Sequence, residues 1–244
     1  MKVFINRKPV DGPWGGGNLF VKAFYEHSKE IGYEIIENPI SEKPDLIFLQ
    51  SPNSSSNCNF SIKDAIAIKR YFPNIEIVLR VNECDARKGT SGVDDFWIEC
   101  SKYVDKTIFV SNWMMNYFMG KGWKCSKNYV LYNGVNLEHF KPREKIENGK
   151  INIVTHHWSN NRLKGRHLGT FKNTNTIDPL FGIELGKELS KYDVYISDSK
   201  FDPGPNHILE SLACNIPTFV CKDGGGSVEL AGNNNVFNNF KDLK

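Results

Sequence analysis

The sequence predicts an α/β protein built from two Rossmann-like, doubly wound parallel-sheet units, the second abbreviated. Three observations carry that expectation. Short β-branched and aromatic runs alternate with longer amphipathic ones almost from end to end. The alternation breaks once, in a charged stretch without apolar period. The length, 244 residues, suffices for one large domain or two modest ones. Strands that alternate with helices pair in parallel and are covered on both faces.

Along the chain, VFIN (3–6) reads as a strand, followed by a glycine-rich turn and the helix LFVKAFYEHSKEIG. YEIIEN and DLIFLQ are strands, and SIKDAIAIKRYF is a helix with Ser61 as its N-cap. IEIVLRVN is a strand, VDDFWIECSKYV a helix, KTIFVS a strand, and NWMMNYFMGKG a helix that stops at glycine. YVLYNG closes a first domain over residues 1–140. The stretch LEHFKPREKIENGKI carries a proline and many charges, which predicts a linker at 141–150. The second domain, 151–244, starts with the strand INIVTHH. IELGKELSKY (helix), DVYISDS (strand), HILESLACN (helix) and IPTFVCK (strand) follow. The asparagine-rich NNNVFNNF reads as a frayed end.

Composition excludes several function classes. The chain is 40% hydrophobic and 24% charged, ordinary for a soluble globular protein. Its net charge of +3 comes from scattered lysines, short of a nucleic-acid footprint but compatible with weak peripheral contact with an anionic membrane surface. Six cysteines without a CxxC pair give neither zinc spacing nor a disulfide framework, so a cytoplasmic protein with reduced thiols is expected. No segment is long enough to span a bilayer.

The candidate site residues fall where strands end. GPWGGGN (12–18) lies between the first strand and first helix, where glycines let amides approach a ligand and open α/β sheets bind theirs. It lacks the G-x-G-x-x-G spacing and an acid roughly 20 residues beyond, which argues against a Rossmann oxidoreductase. RVNECDARK ends a strand in charge and amide, placing Arg80, Asn82, Glu83 and Asp85 near one rim; a solvated loop with internal ion pairs explains it nearly as well. In THHWSNNRLKG, adjacent histidines diverge and find no third ligand at suitable spacing, so no metal is expected. Lys164, with Ser159 and Arg162, suits phosphate. In SDSKFDPGPNHILESLACNIPTFV, prolines set a sharp turn after a strand. Asn206 would cap the next helix, whose first amides, around Asn206, His207 and Ile208, form an anion cradle. Glu210 stands one turn in, ready to accept from sugar hydroxyls; a first-turn acid complementing the dipole is the plainer reading. GGGSVELAG adds a further glycine loop with Glu229 beside it.

Four features together resemble the retaining GT-B glycosyltransferases of the group 1, or GT4, family. They are YNGVNLEHFKP, Lys164-Gly165, the pair Asp202 and Glu210 in a D-x7-E spacing followed by SLACNIPTF, and GGGSVEL. The resemblance implies a nucleotide-sugar donor bound between the halves and mainly by the second, with Glu210 on the ribose and Asp202 on the transferred sugar. Lys164, Ser159 and amides near Asn206 and His207 would hold the diphosphate, and Gly16 and Gly17 would match the first-domain loop facing diphosphate and acceptor. It further implies transfer of a hexose, with retention and without metal or other cofactor, to a glycan, lipid or small-molecule acceptor. The alternative is a catalytically degenerate binding module of the same fold. The chain departs from the family in three ways: Asp202 stands for Glu, Arg162 is offset from the family's arginine, and only RHLGT follows Lys164-Gly165 before FKNTNTIDPL, where a βαβ unit takes roughly 30 residues.

Overall fold

The computed structural model describes residues 1–12, 15–145, 149–156, 161–165 and 174–243. These form two compact units, Met1–Asp85 with Ser91–Tyr132, and Ala86–Thr90 with Asn133–Lys244.

In the first unit the strands are β1 (Lys2–Ile5), β2 (Glu34–Ile35), β3 (Leu46–Leu49), β4 (Glu76–Val81), β5 (Lys106–Phe109) and β6 (Asn128–Val130). They form one sheet in the order β2-β1-β3-β4-β5-β6, and every pair is parallel. A parallel sheet is covered on both faces, so its central strands read as continuous apolar runs. β4 fits, with Ile77, Val78, Leu79 and Val81 all buried. The helices are α1 (Gly16–Ser28), α2 (Ile62–Tyr71), the single turn α3 (Asp85–Lys88), α4 (Val93–Cys100) and α5 (Asn112–Met119). Ser61 is the N-cap of α2, as the sequence predicts, and its N–H donates to the Asp64 carboxylate at 2.8 Å. The strand order reverses between β1 and β3. There buried Asn6 donates to the Ser51 and Phe60 carbonyls at 2.8 and 3.1 Å and accepts from the Gln50 N–H at 2.8 Å.

The second unit's strands are β7 (Ile153–Thr155), β8 (Thr174–Thr176), β9 (Val194–Ser197), β10 (Thr218–Cys221) and β11 (Val236–Phe237). They make a parallel sheet in the order β11-β10-β9-β7-β8. Its helices are α6 (Gly182–Leu189), α7 (Asn206–Ala213) and α8 (Gly226–Ala231). The core gathers Val154, Tyr195, Leu185, Leu189, Ile208 and Val220, together with Phe140. Phe140 lies just before the stretch of linker-like composition, and Arg143 ties that stretch down. Its guanidinium donates to the His139 carbonyl at 3.0 Å and the Ser190 hydroxyl at 3.2 Å. Gly186 is required by close approach, because a Cβ there would lie 2.0 Å from the His139 carbonyl oxygen.

Two elements differ from the sequence expectation. The segment read as a frayed end contains β11, paired to β10, with Phe237 packed against Ile196 and Cys221. Two apolar residues suffice for an edge strand when the adjoining strand offers a free ladder. Thr174–Thr176, without apolar content, is likewise a strand because it borders β7. Among the described residues no helix is long and apolar enough to cross a membrane, and the six cysteines carry free thiols, Cys58 alone of them not buried.

Candidate functional site

The second sheet reverses direction between β7 and β9, the place where an open α/β sheet leaves a crevice at its carboxyl edge. Three loops meet there and are stitched by backbone hydrogen bonds. After β9, Lys200 N–H donates to the Leu163 carbonyl at 2.7 Å, reaching the loop after β7. Phe201 and Asp202 N–H donate to Asp223 and Gly224 carbonyls at 2.8 and 3.1 Å, and Gly226 N–H returns to the Asp202 carbonyl at 2.7 Å. These bonds hold Phe201 at φ 52°, a left-handed conformation that costs a non-glycine residue about 1–2 kcal/mol. Gly165 has φ 81°, and a Cβ on it would lie 2.8 Å from the Asp198 carbonyl carbon. Only glycine lets the turn carrying Lys164 lie flat on the loop after β9.

Charge concentrates at this junction. Arg87 and Asp202 are buried, and the guanidinium Nη2 sits 2.5 Å from Asp202 Oδ2. Arg87 Nη1 donates to the Leu163 and Lys200 carbonyls at 2.9 and 2.7 Å, so one side chain joins two loops and a carboxylate. Asn161 Nδ2 donates to the Arg87 carbonyl at 3.2 Å, and the Ser199 hydroxyl donates to Asp202 Oδ2 at 3.2 Å. Lys164, on the one-turn 3-10 helix Arg162–Lys164, is half-buried. Burial, and then Arg87 and Lys88 nearby, push its ammonium below the usual lysine range, while Asp202 opposes them. Around Lys164 the nearby charges are thus two cations and one carboxylate, and such a surplus of positive charge favours an anion.

α7 begins behind the proline corner. Its N-cap is Pro205, and Asn206 is its first helical residue, which corrects the expectation of an asparagine cap. A proline cap offers no side-chain acceptor to the first amides. Asn133 pins the corner instead: its Nδ2 donates to the Gly204 carbonyl at 2.9 Å and to Asn206 Oδ1 at 2.8 Å. His207 Nε2 lies 3.0 Å from the Ser197 hydroxyl. Ile208 turns its side chain wholly into the core. Glu210 Oε2 lies 3.1 Å from Nε2 of His156, the residue after β7.

The structure therefore brings Asp202 and Lys164 together and places Asn206, His207, Ile208 and Glu210 on one helix at the same sheet edge. Arg162 is exposed beside Lys164, and Glu229 stands half-buried on α8. Ser159 lies outside the described residues. In the first unit, Gly16 and Gly17 open α1 behind an N-cap at Gly15, and the Gly17 carbonyl accepts from Gln50 Nε2 at 3.3 Å. A Cβ on Gly17 would be 3.1 Å from that nitrogen and 3.6 Å from Asn82 Nδ2.

Two expected rim residues have other positions. Arg80 is 2% exposed, with its guanidinium carbon 4.4 Å from the centre of the Phe20 ring, so it belongs to the sheet–helix layer. Burial lowers its pKa to about 10. The Asp85 carboxylate accepts from the Val93 and Asp94 N–H at 3.3 and 2.9 Å, capping α4. Three residues outside the sequence-level candidates build the site: Arg87, Asn133 and His156. Asn133 and Arg87 stand inside stretches whose composition is informative, but their partners are 71 and 115 positions away. His156 stands in the sequence beside a second histidine, and its carboxylate partner Glu210 is 54 positions away.

No family model matches the chain, and no curated protein does. Solved structures match its fold. Anabaena HepE in complex with UDP superposes with a TM-score of 0.65 at 13% identity, over 97% of this chain and 84% of its own. The lipopolysaccharide outer core galactosyltransferase WaaB, in its apo form, gives 0.64 at 13%, over 100% and 88%. Sucrose-phosphate synthase from Thermosynechococcus elongatus gives 0.63 at 11%, over 92% and 82%. The likeness establishes the architecture, two Rossmann-like α/β units of the GT-B type.

Proposed function

We propose that the protein is a nucleotide-sugar-dependent glycosyltransferase of the group 1 type, with the donor's nucleoside diphosphate held by the second unit. The observation that carries this reading is the edge between β7 and β9, where buried or half-buried Arg87 and Lys164 adjoin a helix start whose amides have no side-chain cap. The Glu210 carboxylate lies one turn along the same helix. Cations and oriented amides suit pyrophosphate, and a fixed carboxylate suits the hydroxyls of ribose. The structural neighbours support the same direction: HepE has been solved with UDP and glucose, and WaaB is a galactosyltransferase.

In transfer, the bond between the anomeric carbon and the β-phosphate oxygen breaks, and the acceptor oxygen bonds to that carbon. The acceptor's proton passes to the departing phosphate oxygen on the same face, which retains configuration without a covalent enzyme intermediate. Lys164 and the amides of Asn206 and His207 stabilise the charge that grows on the diphosphate, in place of a metal. Asp202 has Oδ2 committed to Arg87 and Ser199, so its part is to aim the Arg87 guanidinium while its remaining oxygen faces the sugar. Acceptor recognition, of a glycan, lipid or small molecule, falls to the first unit's Gly16, Gly17 and Asn82. A cytoplasmic location accords with six free thiols.

Thermal-shift titration with UDP-, GDP- and ADP-glucose tests the reading. One donor should raise the melting temperature and be turned over, and Glu210→Ala should abolish both responses with the fold intact. Full donor turnover by that variant would remove the assignment. Binding without hydrolysis or transfer would instead favour the degenerate binding module.

A further inference from the structure

His156 is the residue the site explains least, and it is enclosed. It is 4% exposed, and its backbone is clasped by the buried Tyr195 hydroxyl, which lies 3.4 Å from the His156 nitrogen and 3.3 Å from its carbonyl oxygen. Its ring packs edge-on against Tyr195 at 5.4 Å and against His207 at 6.3 Å. Backbone and ring are thus fixed by β9 and by the first turn of α7. One polar contact of the ring is made, Nε2 to Glu210 Oε2 at 3.1 Å. The other nitrogen, Nδ1, is buried without a partner among the described residues. A hydrogen at Nδ1 would be a donor with nothing to receive it, whereas a bare lone pair there costs less. The hydrogen therefore belongs on Nε2, where it donates to Glu210.

A histidine that donates from Nε2 fixes one oxygen of a carboxylate and leaves the other to receive. Without that bond, the Glu210 carboxylate, 13% exposed, would sample more than one staggered rotamer, and only some would present an oxygen to a ligand diol. We propose that His156 is a positioning residue for nucleoside selectivity: it locks the Glu210 carboxylate so that Oε1 accepts from the ribose 2′-hydroxyl. The inference rests on the reading of Glu210 as the ribose ligand and adds the group that makes it selective.

The test compares binding of UDP and 2′-deoxy-UDP, with the GDP pair beside them, by calorimetry on the full chain. The pair that binds the unsubstituted protein is then used for the variants His156→Phe, His156→Gln and His156→Asn. A charge-assisted bond to one hydroxyl corresponds to a preference for the ribonucleotide on the order of ten-fold to a hundred-fold. His156→Phe should cut that preference to within about three-fold of unity, since it keeps the ring packing and loses the donor. His156→Gln places an amide near the lost Nε2 and should restore it. His156→Asn cannot reach and should not. Pyrophosphate binding should be the same in every variant, a readout that a general loss of structure would move. Equal preference in the Phe variant and the unsubstituted protein overturns the inference. If the Phe variant does not fold, equal preference in the Gln and Asn variants does so. An unsubstituted protein that binds both nucleotides equally well refutes the ribose role of Glu210 instead.

Discussion

Replacing Arg87 by leucine perturbs the second unit more than any other single change at the site. The guanidinium spans Asp202 Oδ2 at 2.5 Å and the Leu163 and Lys200 carbonyls at 2.9 and 2.7 Å, and the two charged side chains are 8% and 12% exposed. Leucine strands a buried carboxylate and takes from the Leu163 and Lys200 carbonyls the donor they share, leaving Leu163 with the Lys200 N–H alone. Breaking a buried pair by removing one partner costs about 3–5 kcal/mol, and the carbonyl contacts are included in that figure because all three acceptors share one donor group. For a unit of this size, about 4 °C per kcal/mol gives a melting shift of roughly 12–20 °C. Amide exchange should localise the loss: the Lys200 N–H, bonded to the Leu163 carbonyl at 2.7 Å, should exchange far faster in the variant. Asp202→Leu should cost a similar amount. The double variant should cost less than the sum of the singles by about 1–3 kcal/mol, because each partner's penalty is the orphaned other. Arg87→Leu melting within about 1 °C of the unsubstituted protein, with Lys200 exchange unchanged, would refute this account of the junction.

Other outcomes follow from single contacts. Gly186→Ala should destabilise by more than about 3 kcal/mol in denaturant unfolding, since its Cβ would meet the His139 carbonyl oxygen at 2.0 Å and that backbone belongs to the same core. Phe237→Ala should cost about 3–5 kcal/mol in the same assay, because the ring fills a buried cluster with Ile196 and Cys221. Lys164 has its folded pKa below the 10.5 of a free lysine, so over the interval between the two the unfolded chain binds more protons and the folded state gains as pH rises. Melting curves of the unsubstituted protein relative to Lys164→Met should therefore improve as pH rises towards 10.5; a flat difference contradicts the burial of the ammonium.

The sheets were legible because parallel strands are buried on both faces, which writes VFIN, IEIVLRV and DVYIS as mainly apolar, β-branched and aromatic runs. β8 and β11 were illegible for the converse reason: Thr174–Thr176 and Val236–Phe237 are edge strands whose neighbours supply the pairing. At the site, proline and glycine marked the corner before α7 because backbone geometry demands those residues locally. The division of roles was hidden in long-range partners. Asp85 looks like a rim acid and caps α4, Arg80 looks like a rim cation and lies under Phe20, and Arg87 finds its carboxylate 115 positions away. Composition shows that charge is present; only the fold shows which charge is spent on structure.

Five residues of the second unit, Ala86–Thr90, are encoded in the middle of the first, so the polypeptide passes from one unit to the other three times. No single cut yields two whole pieces. A fragment starting at Asn133 omits Arg87, and with it the cation that neutralises Asp202 and ties two loops. A recombinant carboxyl-terminal half should accordingly be recovered poorly or in inclusion bodies, and a peptide spanning 86–90 supplied in trans is the natural reagent for its repair.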